Sequence, residues 1–526
     1  MTVAPPLLTP DAAERLRAYA ETRIAAGDTP GVAVAVTDPD GAESLLAVGH
    51  ADLAGTPLRL HHLLQIGSIS KSFTAVCALQ LERERALAVD DPLATHLPWF
   101  RVEGGHGTIT LRHLMMHTSG LPAGTDPGPS SLALIAELAG APTGWKPGSR
   151  FWYSNIGYDA LGAAIEARAR MPLPQAIRRR VFEPLGMSAS AAFIAPEHRR
   201  SMAAGHERLY PDRPSHPTVA LATAPFVESE GASGSILSTP SDMARYARML
   251  LRRGHPGVLA ENDFDRMTDG LPDDEGVPYG LGLSIEERDG HTLVGHSGAM
   301  VGYRAQLACD LDAGVGAVVL VNGPRGSRPV ADYALALGRA VRAGEPLPDV
   351  PADTPADLSE YVGRYGPITV TTEGIETGAG RGSLAEPERD TFATDHPDLC
   401  RALVRFGRTG GHVDHIMVGD EWYPGESYAG REAFPHPPEW AAYPGVYRSH
   451  NPWHLAYRVT LCRGELAVEE ASYGRIRLQP EGDGSFVWST PAGPLPERFG
   501  FDTIVDARAQ RMTVTGGLAL YRSMAR

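Results

Sequence analysis

Ser68 and Lys71, in Gly67-Ser68-Ile69-Ser70-Lys71-Ser72-Phe73, stand three residues apart, the spacing that puts two side chains on one face of a helix. A hydroxyl beside an amine is a nucleophile with its own base, provided the amine is uncharged. Lysine can meet that condition, because an ammonium taken out of water loses its proton while a guanidinium keeps it. The composition singles the pair out. This chain of 526 residues has lysine only at Lys71 and Lys146, although lysine and arginine together number 48. Where nearly every cation is arginine, an amine at position 71 marks a place that arginine cannot serve. Residues 73–81 are apolar on most sides, with Thr74 and Gln80 the exceptions, so the helix is expected to be buried with its first turn at the floor of a cleft. A Ser-x-x-Lys alone is also compatible with a helix cap beside a solvated lysine, and residues further along the chain decide between the two.

Tyr153-Ser154-Asn155 comes ahead of a helix expected over 157–168. A tyrosine beside a buried ammonium shares in moving its proton, and the Asn155 amide can hydrogen-bond the lysine and a substrate at once. His296-Ser297-Gly298 follows a strand-like 292–295. On an edge strand, Gly298 would admit a substrate backbone and His296 would reach across the cleft. The Ala299 amide would pair with that of Ser68 as an oxyanion hole, in which one donor is typically worth about 3 kcal/mol. Two competing motifs are weaker. Gly295-His296-Ser297-Gly298-Ala299 lacks the last glycine of a nucleophile elbow and precedes a strand-like segment rather than a helix. His412-Val413-Asp414-His415 lacks a third nearby ligand, and no His-Glu-x-x-His occurs, so neither a metal nor a cofactor is expected.

These residues need a scaffold that brings distant segments together. Helices are expected over 10–26, 110–117, 157–168, 241–252 and 329–342, and strands over 31–37, 44–49, 281–287, 292–295, 303–310 and 316–321. Helices at both ends of an antiparallel sheet, with a helical insertion, read as a two-layer or mixed α+β domain over 1–345. A Pro-rich, acidic linker is expected over 346–357, followed by an all-β region over 358–526. Tyr361-Val362-Gly363-Arg364-Tyr365 is echoed by Tyr443-Pro444-Gly445-Val446-Tyr447, which leaves open one barrel or two small ones over 358–435 and 436–526. Scattered cysteines and an N-terminus without a legible export signal point to the cytoplasm. A net charge of −15 argues against nucleic acid and anionic membranes and leaves a small molecule or peptide as partner; the oligomeric state is not legible.

With the three motifs in this order, the chain resembles the serine β-lactamase and penicillin-binding-protein superfamily, in its class C-like branch of D-aminopeptidases, esterases and related peptidases. Further segments carry the likeness: Leu111-Arg112-His113-Leu114-Met115-Met116-His117-Thr118-Ser119-Gly120-Leu121-Pro122, Lys146-Pro147-Gly148, Phe182-Glu183-Pro184-Leu185-Gly186-Met187 and Ser238-Thr239-Pro240-Ser241-Asp242-Met243. The resemblance implies an antiparallel sheet flanked by helices, with a helical subdomain, followed by lipocalin-like barrel structure. It implies that Ser68 is acylated, that Lys71 and Tyr153 handle its proton, and that Asn155 orients the site; Asn155, His296, Gly298 and Ala299 are the expected substrate-binding residues. His296 departs from the pattern, since β-lactamases and carboxypeptidases have lysine there. A neutral imidazole binds a carboxylate less strongly. The expected activity is cleavage of an amide or ester in a small peptide or related substrate. Passing the acyl group to an amine or alcohol, as an acyltransferase or peptide cyclase does, uses the same groups. A non-catalytic acylated binding protein is the remaining alternative.

Overall fold

The structure, a computed structural model, describes residues 5–102, 107–124, 131–140, 143–272, 276–352, 356–470, 474–490, 493–515 and 518–523. The first four residues and positions 353–355 of the expected linker lie outside it. The chain forms two compact units, Met1–Glu207 with Leu221–Pro351, and Arg208–Ala220 with Ala352–Arg526.

The first unit is built on an eight-stranded sheet whose order is Glu43–Gly49, Gly31–Thr37, Val315–Val321, Tyr303–Asp310, His291–Met300, Ser284–Arg288, Pro278–Tyr279 and Leu271–Pro272. Every pairing in it is antiparallel. Gly31–Thr37 and Val315–Val321 are buried at every residue, because helices cover both faces. Val32, Val34 and Val36 pack with Leu16, Tyr19, Val330 and Leu337 of the terminal helices Pro10–Ala25 and Ser327–Ala343. The opposite face packs on helix Pro240–Leu251, whose Ala247 carbonyl accepts from Cys309 Sγ. The domain is therefore layered helix, sheet, helix. Strands buried on both faces read as continuous apolar runs rather than as an alternation of polar and apolar residues, and these two strands do.

Local signals placed most ends to within a few residues. Thr9 caps the first helix, its hydroxyl accepting from the Ala12 amide, and Pro10 opens it. Two differences bear on the site. The helix after Tyr153 is Asn155–Ala169, capped by Ser154, so it starts two residues before the expected 157 and makes Asn155 its first residue. The strand expected over 292–295 runs from His291 to Met300. It pairs with Tyr303–Asp310 along 293–300, but with Ser284–Arg288 only as far as Gly295, so it is interior at one end and open on one side at the other.

In the second unit, strands between Gly363 and Pro424 form a four-stranded and a five-stranded antiparallel sheet around a core that includes Tyr361, Tyr365, Phe392, Phe406 and Ile416. Strands between Gly445 and Arg522 close into an eight-stranded antiparallel barrel with its own core, including Tyr447, Val468, Phe486 and Met512. The five-residue echo is structural. Each copy joins the end of a 3₁₀ turn, Ser359–Tyr361 or Pro438–Ala442, to a first strand. In each, the second tyrosine turns back on the first: Tyr365 donates to the Tyr361 carbonyl at 3.0 Å and Tyr447 to the Tyr443 carbonyl at 2.7 Å. His412 and His415 lie on strand His412–Val418, where His415 meets Asp414 at 2.7 Å and the Arg463 guanidinium. A cation already occupies the side of His415 that a metal would need. Among the described residues, no helix is long and apolar enough to cross a membrane.

Candidate active site

Ser68 lies in a 3₁₀ turn, Gly67–Ile69, that feeds helix Ser70–Arg83. The helix thus starts two residues after Ser68, and the tight turn keeps positions three apart in line. The lysine Nζ donates to Ser68 Oγ at 3.0 Å, to Asn155 Oδ1 at 2.7 Å and to the Ser233 carbonyl at 2.9 Å. Every residue from Ser70 to Leu81 is buried, and Lys71 has no exposed surface. Phe73 stacks on Tyr246 at 3.8 Å between ring centroids, and Tyr246 donates to Ser72 Oγ at 2.8 Å, which seats the helix. Burial pushes the Lys71 ammonium down to about 7, against an opposing pull from the Asp159 carboxylate. Near neutrality a large share of Lys71 is the free amine.

Tyr153 covers this amine, its ring centroid 4.7 Å from Nζ, with the Tyr158 ring at 5.4 Å. The Tyr153 ring lies 4.1 Å from that of His117. His117 adopts a left-handed backbone, φ 55°, and its Nδ1 accepts from the Ser154 amide at 2.9 Å. One imidazole therefore supports both the tyrosine and the cap of the helix that presents Asn155. Burial holds its proton affinity well below the ordinary value, so it is neutral.

On the opposite wall, backbone meets backbone. A Cβ on Gly67, where φ is +54°, would fall 2.5 Å from Ala299 N and 2.7 Å from Ala299 O. A Cβ on Gly298 would collide with the Ile66 carbonyl. The close approach that Gly298 permits is thus to the protein's own chain, where sequence reasoning had placed the substrate backbone. It brings the open end of strand His291–Met300 against the turn that carries Ser68. Ala299 itself is exposed.

A family model, Beta-lactamase, matches residues 16–340. The chain belongs to the Beta-lactamase family. Penicillin-binding protein 4* of Bacillus subtilis (strain 168) is 26% identical over 354 residues, which are 60% of this chain and 75% of that protein. D-aminopeptidase of Brucella anthropi is 28% identical over 336 residues, 60% of each chain. The octameric penicillin-binding protein homologue from Pyrococcus abyssi shares the fold, with a TM-score of 0.57 at 22% identity over 88% of this chain and 99% of that one.

Within this Beta-lactamase-family site His296 is buried. Its Nδ1 meets the Ser297 carbonyl, which can only accept, so Nδ1 carries the ring hydrogen. Nε2 is then the acceptor for the Tyr279 hydroxyl at 2.9 Å. Burial first, and the neighbouring Lys71 second, lower His296 to about 4, so it carries no charge at neutral pH. The ring packs beside those of Tyr279 and Tyr153, with centroids 5.6 and 6.2 Å away. Sequence reasoning missed Tyr279, Ser233 and Asp159. Asp159 alone left a local signal, four residues after Asn155 on the same helix face. Away from the site, His291, Asp310 and Asp312 cluster closely enough to hold an ion, but Asp310 already binds Arg339 and the amides of Asp312 and Ala313.

Proposed function

We propose that the protein is a serine hydrolase that cleaves an amide or ester bond in a small peptide or related substrate through an acyl-Ser68 intermediate. The observation that carries this is the fully buried Lys71 amine, 3.0 Å from Ser68 Oγ and titrating near 7. Ser68 Oγ attacks the carbonyl carbon and its proton passes to Lys71 Nζ, aided by Tyr153. The developing oxyanion is met by the amides of Ser68 and Ala299. The C–N or C–O bond then breaks as the leaving group takes the proton back from the ammonium. Water, deprotonated by the same amine, attacks the acyl-enzyme and releases the acid and Ser68.

Two observations support a peptidase of the aminopeptidase kind over a carboxypeptidase. His296 is neutral and committed to Tyr279, so it offers no full positive charge to a substrate carboxylate. The relative from Brucella anthropi is a D-aminopeptidase. An esterase is the next subclass. The four cysteines are free thiols, which fits a cytoplasmic setting. The test is intact mass after reaction with a fluorophosphonate, on the native protein and on Ser68→Ala. One adduct on the native protein and none on the variant is expected; an equal adduct on both would remove Ser68 from its role.

A further inference from the structure

Asp159 is a carboxylate that the acylation and deacylation steps do not use. It lies on helix Asn155–Ala169 one turn beyond Asn155, on the face that looks towards Lys71. Its Oδ1 is buried and without a hydrogen-bond partner, and a Cβ on Gly231 would fall 3.0 Å from that oxygen. Gly231 leads into the segment whose Ser233 carbonyl accepts from Lys71 Nζ. The amides of Ala232 and Ser233 and the Ser233 hydroxyl face the carboxylate. That segment is clamped from both sides. Thr74, one turn after Ser70 on the lysine helix, donates to the Ala232 carbonyl at 2.9 Å, and Gly162 gives Ala232 room against the other helix.

The three atoms that accept from Nζ are all neutral, an alcohol, an amide and a carbonyl. They hold the nitrogen in place but do little to offset the cost of a positive charge out of water. That cost matters twice, when Ser68 gives up its proton and while the ammonium waits for the leaving group. We propose that Asp159 is a positioning residue for the catalytic amine: its carboxylate, one helical turn past Asn155 and against the Ser233 segment, stabilises the Lys71 ammonium and keeps Nζ directed at Ser68. The inference rests on the Ser68–Lys71 mechanism and adds to it a counter-charge within the pocket.

The mutual pull runs the right way on both partners. Asp159 opposes the fall of Lys71, and Lys71 opposes the rise of Asp159, which burial takes to about 6. The other titratable groups around the amine are Tyr153 and Tyr158, whose rings face it, and the histidines His117 and His296, with Tyr279 beside Tyr153. His117 and His296 are neutral imidazoles near pH 7, and Tyr158 and Tyr279 are held well above their ordinary values.

The presence of only two lysines makes the test direct, since ¹⁵N-lysine labelling gives two side-chain resonances, with exposed Lys146 as the internal reference. In Asp159→Asn, which keeps the shape and one acceptor oxygen, the Lys71 midpoint should fall by about one pH unit, the effect of losing one nearby opposite charge. The acid limb of kcat/KM should move to lower pH with it, and the plateau should drop several-fold because a weaker base acylates more slowly. A purely structural role would lower the plateau without moving either midpoint, and that result overturns the proposal. In the native protein alone, Lys71 should respond in two steps, one of them belonging to the carboxylate. A single step would also overturn it, whether or not the variant folds. If the variant still takes up fluorophosphonate at Ser68 with an unmoved midpoint, Asp159 alone is wrong. If the native protein takes up none, the nucleophile and this inference fall together.

Discussion

Replacing Lys71 with arginine keeps a positive charge and removes the base, so it tests the mechanism at its narrowest point. The amine is moved from an ordinary value of 10.5 to about 7. At pH 7.5 that shift makes roughly three-quarters of Lys71 free amine, against roughly one part in a thousand for a solvated lysine. Arginine supplies no free base at any working pH. Loss of a general base in a positioned site typically costs about 10² to 10⁴ in rate. The guanidinium must also fit where Lys71, with no exposed surface, already meets Ser68, Asn155 and Ser233. We therefore expect Lys71→Arg to lower kcat/KM for a nitrophenyl ester or an amino-acid nitroanilide by ~10³ or more. The pH profile supplies the second half of the test. The active form of Lys71 is the deprotonated one, so native kcat/KM should rise with pH through about 7 and level off above it. The variant should show no such limb. Thermal melting and circular dichroism would confirm that it is folded. Activity within tenfold of native, or a native profile flat through neutrality, would refute the claim that burial turns this lysine into the base.

Gly67→Ala should lower kcat by ~10² with little change in circular dichroism, because its Cβ would strike Ala299 N and force the strand away from Ser68; an unchanged kcat would show that this approach does not form the oxyanion hole. Tyr279→Phe leaves His296 Nε2 a buried acceptor without its donor, at a cost of about 1–3 kcal/mol in urea unfolding; an unmoved midpoint would mean that the bond contributes nothing. His296 is lowered from 6.5 to about 4, so between those values the unfolded chain binds a proton that the native state refuses. Its contribution therefore makes stability rise with pH across that window, by up to about 3 kcal/mol. Urea unfolding of the native protein and His296→Asn at several pH values would check this; equal slopes would exclude the contribution.

How much could be read in advance depended on how far apart the participants are in sequence. Thr9 and Pro10, like Thr239 and Pro240, open their helices through contacts within one turn, and the helices start at Pro10 and at Pro240, the latter one residue before the expected 241. Asn155 was placed ahead of its helix because the cap is Ser154, whose hydroxyl accepts from the Gly157 amide, and a serine next to an asparagine does not say which of them caps. The flanking of the sheet by helices was legible because 31–37 and 316–321 are continuous apolar runs, which is how strands covered on both faces read. The close approach of Gly298 to the Ile66 carbonyl was not legible, because the two are more than two hundred residues apart.

The amino-acid order alone determined that a hydroxyl and an amine would share a helical turn, since that separation is fixed by backbone geometry over four consecutive residues. Only the tertiary structure decided what that amine does. Its proton affinity depends on exclusion of water and on the Asp159 carboxylate, and its position on acceptors far along the chain, with Asn155 84 residues away and Ser233 162. Solvation and Coulomb energies are sums over everything nearby in space, and no local pattern records them.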